Sequence, residues 1–146
     1  MKIRKMHWVN CVFALLFTPL LFAQTTKPDP AKFDRFVKEV YKGKGKKTMA
    51  QDTRRYAFMK DFFENRIRFV EGDEEKHKLA GYQRLSQVPL FDHYNKGLVR
   101  DGSFDPNLFN PFKYQLGFYD QESKIIYVDG TKYLIVIEPQ KRGGSR

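Results

Sequence analysis

The chain contains very little cysteine and very little tryptophan. Among its 146 residues, Cys11 is the only cysteine and Trp8 the only tryptophan, and both lie within the first 23 residues. The remainder of the chain therefore has no residues for a disulfide, a thiolate metal site or a cysteine nucleophile. A domain built from residues 24 onward must be held together by the packing of its apolar side chains.

Long hydrophobic runs are also scarce, and the one present, residues 8–22, is interrupted by Pro19. It follows a positive head within residues 2–5 and ends at the small residue Ala23. This is the pattern of a secretory signal peptide, and the run is too short for a comfortable membrane span. We predict a signal peptide at 1–23, cleavage near Ala23–Gln24, and a periplasmic or secreted protein with no integral membrane span after cleavage. An uncleaved anchor is the alternative.

The net charge of +10 is unevenly distributed. The predicted signal carries three of the positive charges, and the remaining excess falls in two clusters. Their candidate anion-contacting residues are Lys42, Lys44, Lys46, Lys47, Lys141 and Arg142. Nucleic-acid binding usually needs a basic face interleaved with aromatic residues, so we predict no nucleic-acid partner. The clusters favour a solubilising linker and tail, with salt-sensitive docking to anionic lipid or polysaccharide as a weaker alternative.

Helices are predicted in the first half of the chain. Asp29 and Pro30 fit the cap and first position of a helix over 30–41, whose apolar residues recur at helical spacing. A second helix is predicted from Asp52 or Thr53 to at least Asn65, and residues 66–70 suit either its end or a short strand. Asp73 can cap a third helix over Glu74–Leu79.

Strands are predicted in the last third. The segments are 112–119, 124–128 and 131–138, with Asp129–Gly130 as a type I′ hairpin turn between the last two. Residues 133–137 are apolar on both faces, which predicts a central strand or one covered on both sides. The expected fold is α+β, with two to three N-terminal helices packed on a C-terminal three-stranded antiparallel β-meander.

Residues 24–140 are accordingly predicted to form one small domain. Two glycines and four lysines at 42–48 predict a flexible basic linker, and residues 83–110 predict a long ordered loop because apolar anchors recur between its prolines and glycines. Residues 141–146 are predicted to form a basic tail.

Several strings in the C-terminal half resemble a group of small exported bacterial proteins with no assigned activity. The strings are Pro89–Asp92, Phe104–Pro106, Phe109–Tyr114 and Tyr133–Pro139. The resemblance implies an exported bacterial protein of one small domain, and it implies no catalytic residue.

The weak catalytic candidates are Asp92, His93, Asp101 and Asp105. Asp92 is next to His93 and could orient its imidazole, although no nucleophile motif accompanies the pair. Asp101 and Asp105 stand at the first and fifth offsets of a calcium loop, but the glycine and the bidentate glutamate that such a loop needs are replaced by Pro106 and Phe112. We therefore predict no metal and no cofactor.

Two classes of function remain open. The first is a non-enzymatic exported domain that binds an envelope protein or glycan, or assists assembly at the bacterial cell envelope, through the 83–110 loop and a sheet edge. The second is a small envelope hydrolase that uses the loop carboxylates or His93. The absence of a recognisable catalytic set favours the first class.

Overall fold

A computed structural model describes residues 24–140. Within that range the α-helices are α1 (Phe33–Val40), α2 (Gly45–Thr48), α3 (Arg54–Asp61) and α4 (Glu74–Leu79). The strands are β1 (Thr25–Thr26), β2 (Ile67–Glu71), β3 (Gln83–Arg84), β4 (Lys124–Tyr127) and β5 (Tyr133–Ile137). The predicted signal peptide and basic tail, with Cys11, Lys141 and Arg142, lie outside the described residues.

The strands form one mixed sheet in the order β1-β2-β5-β4-β3. β1–β2, β2–β5 and β5–β4 are antiparallel, whereas β3 runs parallel to β4. The prediction of α+β content is confirmed, but the predicted three-stranded C-terminal meander is wrong. Three of the five strands come from earlier in the chain, and β2 pairs with β5 along its whole length, from Ile67 opposite Ile137 to Glu71 opposite Tyr133.

The segment 112–119 is not a strand. Pro111–Lys113 form a 3₁₀ turn, Asn110 accepts the N–H of Phe112 as its cap, and Gly117 has a φ of +76°. Its only ladder pairing among residues 24–140 is an isolated bridge between Leu90 and Tyr114, flanked by backbone hydrogen bonds from Phe91 to Lys113 and from Gln115 to Pro89. The 3₁₀ turn and the left-handed glycine break the extended conformation that was predicted for this segment.

The hairpin that joins β4 to β5 is present, but its turn is wider than predicted. Gly130 has a φ of +67°, whereas Asp129 does not have a positive φ, so the predicted type I′ turn is wrong. The last paired residues of the ladder are Tyr127 and Leu134, and beyond them the N–H of Val128 still donates to the carbonyl of Tyr133 at 3.1 Å. β5 is nevertheless the central strand, as the apolar character of both its faces predicted.

The predicted caps Asp29 and Asp73 are present, and Thr53 caps the helix predicted to begin at Asp52 or Thr53. Asp29 accepts the N–H of Ala31 ahead of α1, Thr53 accepts the N–H of Tyr56 at the start of α3, and Asp73 accepts N–H groups at the start of α4. After α3 the chain continues as a π-helical turn, Phe62–Arg66, and passes directly into β2. The ambiguous residues 66–70 are thus mainly strand.

Aromatic side chains form the centre of the core. The rings of Phe33, Phe63 and Phe112 lie 5.6–5.7 Å apart, which joins α1, the π-helical turn and the 3₁₀ turn. Phe69 of β2 and Ile135 of β5 are fully buried. No helix within residues 24–140 combines the length and the apolar character that a membrane crossing requires.

The basic segment at 42–48, predicted as a flexible linker, contains α2. Gly45 is buried, and a Cβ placed on it would lie 2.7 Å from the Cγ of Tyr94. Only a glycine lets this turn of helix approach the tyrosine ring so closely, and this contact ties α2 to the 83–110 loop.

Candidate functional site

The 83–110 loop and the β4–β5 turn enclose a cleft of about 450 Å³. We call it the Asp101 cleft. Its apolar wall is formed by Leu85, Phe104, Phe109 and Val128. Its polar lining residues include Ser86, Arg100, Asp101, Ser103 and Asp129. Apolar walls with a few placed polar groups, at this volume, are typical of ligand sites.

Asp101 is the best-fixed carboxylate in the cleft. Lys113 Nζ lies 2.5 Å from Asp101 Oδ1, and the hydroxyl of Tyr114 donates to Oδ2 at 3.0 Å. The backbone N–H of Asp101 donates in turn to Tyr114 Oη at 3.1 Å. Because the Lys113 side chain is only 6% exposed, this ion pair compensates a charge that would otherwise be buried alone.

The network continues behind the cleft to α1. Asn110, which is buried, donates through Nδ2 to the carbonyl of Phe36 at 3.1 Å and to Glu39 Oε2 at 2.9 Å. The other Glu39 oxygen lies 3.9 Å from Lys113 Nζ. The end of the loop is therefore attached to α1 by two hydrogen bonds from Asn110 and by the longer ion pair between Lys113 and Glu39.

Arg100 and Asp129 are fixed on the rim of the cleft. The Arg100 guanidinium donates to the carbonyl of Leu85 at 3.0 Å and to that of Val88, and it lies 5.7 Å from the centre of the Tyr114 ring. The Asp129 carboxylate accepts the N–H and the hydroxyl of Ser86 at 2.9 and 3.0 Å. Arg100 thus ties two parts of the 83–110 loop together, and Asp129 holds the loop to the β4–β5 turn.

Burial raises the pKa of Tyr114 to about 12, and the neighbouring Asp101 charge adds to the shift. The phenol is therefore a neutral hydrogen-bond donor at ordinary pH. It can hold the carboxylate in place, but it is a poor general base near neutrality.

The other predicted pair, Asp92 and His93, lies apart from this cleft. The Asp92 carboxylate pairs with exposed Lys96 at 3.1 Å, and the imidazole of His93 packs edge-on against Tyr94 at 4.5 Å. The residues that line the Asp101 cleft include neither of them. The structure therefore does not bring all four candidates together.

Asp105 lies beside Asp101 along a neighbouring depression of about 430 Å³. Its carboxylate accepts the N–H of Asn107 at 2.8 Å, and its carbonyl accepts the N–H groups of Leu108 and Phe109. This is the bonding of an Asx turn. Within residues 24–140, no three side chains of histidine, cysteine, aspartate or glutamate are grouped so that they could hold a metal ion.

A second cleft, of about 590 Å³, lies between α1 and α2, and we call it the lysine cleft. Val37, Tyr41 and Met49 form its floor, and Lys38, Lys42 and Lys46 stand around it. Two of the predicted anion-contacting residues, Lys42 and Lys46, therefore line one concave surface, whereas Lys44 and Lys47 are not among its lining residues. Burial raises the pKa of Tyr41 to about 12, so this phenol is neutral as well.

Sequence reasoning missed Lys113, Tyr114 and Asn110, which form the hydrogen-bond and ion-pair network behind the Asp101 cleft. A signal was available, because Lys113 stands between Phe112 and Tyr114 in an otherwise apolar string. A lysine in such a setting is buried only with a partner, and Asp101 is that partner.

The fold and its clefts define a small α+β domain with a five-stranded mixed sheet. Comparison of the chain with protein-family models, with curated proteins and with solved structures finds no match. Any function must therefore be argued from the residues themselves.

Proposed function

We propose that this chain is an exported, non-enzymatic domain that binds a protein or glycan at the bacterial cell envelope through the Asp101 cleft. The proposal rests on the observation that the charged groups of this cleft are already hydrogen-bonded or ion-paired within the domain. Asp101, Asp129 and Arg100 all bond within the domain, so the cleft has a fixed shape before any ligand arrives. Preorganised polar groups beside an apolar wall favour recognition, because little ordering is required on binding.

The fixed carboxylates fit binding better than acid–base chemistry. A general acid or base must exchange a proton with its substrate, and Asp101 is instead held in an ion pair with Lys113. The apolar wall of Leu85, Phe104 and Phe109 would contribute contact area, while Ser103 and the backbone of Gly102 line the same opening.

Two glycines provide a test of the cleft. Gly102 lines the cleft, and a Cβ placed on it would have no other atom within 4 Å. Gly97 lies on the same loop but does not line the cleft, and a Cβ there would make only one van der Waals contact, with Asn95 Oδ1 at 3.5 Å. Gly102→Leu should therefore obstruct the cleft without disturbing the fold, and Gly97→Leu is the matched control. The measurement is hydrogen exchange of residues 83–110 with and without envelope extract.

We expect slower exchange around the cleft in the unmodified chain and in Gly97→Leu, and no such protection in Gly102→Leu. Equal protection in both variants, or none in the unmodified chain, would refute binding at this cleft. The proposed export has its own test, since N-terminal sequencing of native material should begin at Gln24, and material that begins at Met1 in the cytosol would refute it.

The envelope hydrolase remains a second candidate because Asp101 and Asp105 line one depression. Its clean test is Asp105→Asn, which retains an oxygen that can accept the N–H of Asn107 but removes the carboxylate. A turnover that this variant abolishes, with hydrogen exchange unchanged, would support hydrolysis over binding. Asp92→Asn with His93→Gln tests the other pair in the same way.

A further inference from the structure

The lysine cleft combines an apolar floor with uncompensated positive charge. Val37, Tyr41 and Met49 line the cleft but are each only 5–6% exposed to solvent. The few atoms that they expose therefore form its floor. Among residues 24–140, the ammonium groups of Lys38, Lys42 and Lys46 have no ion-pair partner within 4.0 Å.

The acidic residues of α1 are engaged elsewhere. Asp34 accepts the hydroxyl of Tyr56 at 2.8 Å, and Glu39 binds Asn110 at 2.9 Å. Neither is a lining residue of the lysine cleft. The cleft therefore carries three positive charges and no lining carboxylate, which makes an anion the complementary occupant.

The chain geometry places the three lysines around one opening. Lys38 lies in the last turn of α1, and Lys42 lies two residues beyond the end of that helix. Gly43, with a φ of +55°, then lets the backbone reverse its direction. α2 then returns Lys46 to the same opening, and the close contact of Gly45 with Tyr94 fixes α2 in place. The arrangement depends on tertiary packing, so it is more than a run of basic residues.

We propose that the lysine cleft binds an anionic phospholipid, with the phosphate among Lys38, Lys42 and Lys46 and the first part of an acyl chain against the floor. A bare anion would leave the apolar floor in water, and a neutral apolar molecule would make no use of the ammonium groups. The methylene stems of the lysines extend the apolar lining toward the opening while their charged ends face the phosphate. The choice of a phospholipid as the source of the anion rests on the proposed export to the envelope.

The probe is a soluble short-chain phosphatidylglycerol below its micelle concentration, titrated by calorimetry into the protein as it is isolated. A monomeric lipid reports contact with the cleft rather than attraction to a charged bilayer. Lys38→Gln/Lys42→Gln/Lys46→Gln should weaken binding by roughly 10- to 100-fold, because three exposed ion pairs with the phosphate are lost and such pairs contribute up to about 1 kcal/mol each. All three side chains are exposed, so the variant should fold.

The matched control is Lys44→Gln/Lys47→Gln/Lys76→Gln. It removes the same number of charges, two of them from the same basic segment, at positions that do not line the cleft. We expect its affinity to fall by less than about threefold, since attraction between exposed charges is screened over roughly 10 Å at 0.1 M salt.

Three results would each overturn the proposal. Equal losses in the two triple variants would show attraction to net charge alone. Equal affinity for glycerophosphoglycerol, which lacks acyl chains, would identify an anion or polysaccharide site without a role for the floor. Equal affinity for short-chain phosphatidylcholine would remove the role of the charges. None of these results depends on the Asp101 cleft or on N-terminal sequencing, so this proposal and the proposed function fail separately.

Discussion

The two clefts contain charged residues in opposite situations. In the Asp101 cleft, Asp101 is paired with Lys113 and Asp129 with Ser86, so the charges stabilise the domain. In the lysine cleft, the three ammonium groups have no such partner among the described residues. The role of a charged side chain in a cleft therefore depends on whether it is already paired within the domain, and its position in the cleft alone does not reveal that role. Paired charges shape a surface, and unpaired charges are available to a ligand.

The comparison predicts its largest effect at the paired charges. Asp101→Ala would leave Lys113 buried with only Glu39 at 3.9 Å, so the free energy of unfolding should fall by about 3 kcal/mol. This is the lower end of the usual range, because 28% of the Asp101 side chain remains exposed. Urea unfolding followed by circular dichroism measures the change.

Two further variants control for this prediction. Asp92→Ala breaks the exposed pair with Lys96 and should cost less than about 0.5 kcal/mol. Asp101→Leu combined with Lys113→Met replaces both charges by apolar groups and should recover most of the loss. If Asp101→Ala costs no more than Asp92→Ala, the distinction between structural and available charge in the two clefts fails.

An intermediate effect is expected at two glycines, Gly45 of α2 beside the lysine cleft and Gly102 in the lining of the Asp101 cleft. In Gly45→Ala the new Cβ would lie 2.7 Å from the Tyr94 ring, and overpacking of this kind should exceed the gain in helix propensity by about 1 kcal/mol. Gly102→Ala meets open space and should change stability by less than about 0.5 kcal/mol.

Unfolding in urea again provides the measurement for these glycines. Introducing Gly45→Ala into a Tyr94→Ala background should remove its penalty, because the atoms that clash are gone. A penalty that persists there would mean that the Tyr94 contact does not hold α2.

The smallest effect is expected at one tyrosine in each cleft. The pKa values of Tyr41 and Tyr114 are both raised to about 12, chiefly by burial. A raised folded-state pKa favours the neutral phenol, so each residue contributes stability that is complete below pH 10 and is lost as the pH rises through about 12. Near neutral pH the contribution is constant.

Tyrosinate absorbance during an alkaline titration tests this expectation. Tyr41→Phe and Tyr114→Phe should each remove one late-ionising group and leave the early ones unchanged. If either substitution instead removes a group that ionises near pH 10, the phenol of that cleft is open to water.

Local signals in the sequence predicted local structure well. The caps Asp29 and Asp73 were identified correctly, and the second helix was predicted to begin at Asp52 or Thr53, where Thr53 is the cap. Each of these three side chains makes hydrogen bonds within three residues of itself. The central position of β5 followed from its apolar faces. These features depend on the identity of neighbouring residues, which a sequence displays directly.

Non-local pairing explains the failures. β1 and β3 have two residues each and carry no periodicity of their own, so only their partners Val70 and Ile126 define them as strands. Asp101 was among the predicted candidates, but its partner Lys113 was missed because the segment 112–119 was predicted to be a strand, whereas Lys113 ends a 3₁₀ turn that places it against Asp101. The concave arrangement of Lys38 and Lys46 likewise depends on the contact of Gly45 with Tyr94.

The brevity of the two outermost strands has a consequence for how the protein behaves at high concentration. β1 and β3 each offer only two residues at the margin of the sheet. A strand of a neighbouring molecule that added to β1 or β3 could therefore form few backbone hydrogen bonds with either of them. Short outer strands of this kind therefore disfavour templated, fibre-like growth of the sheet from one copy of the domain to the next.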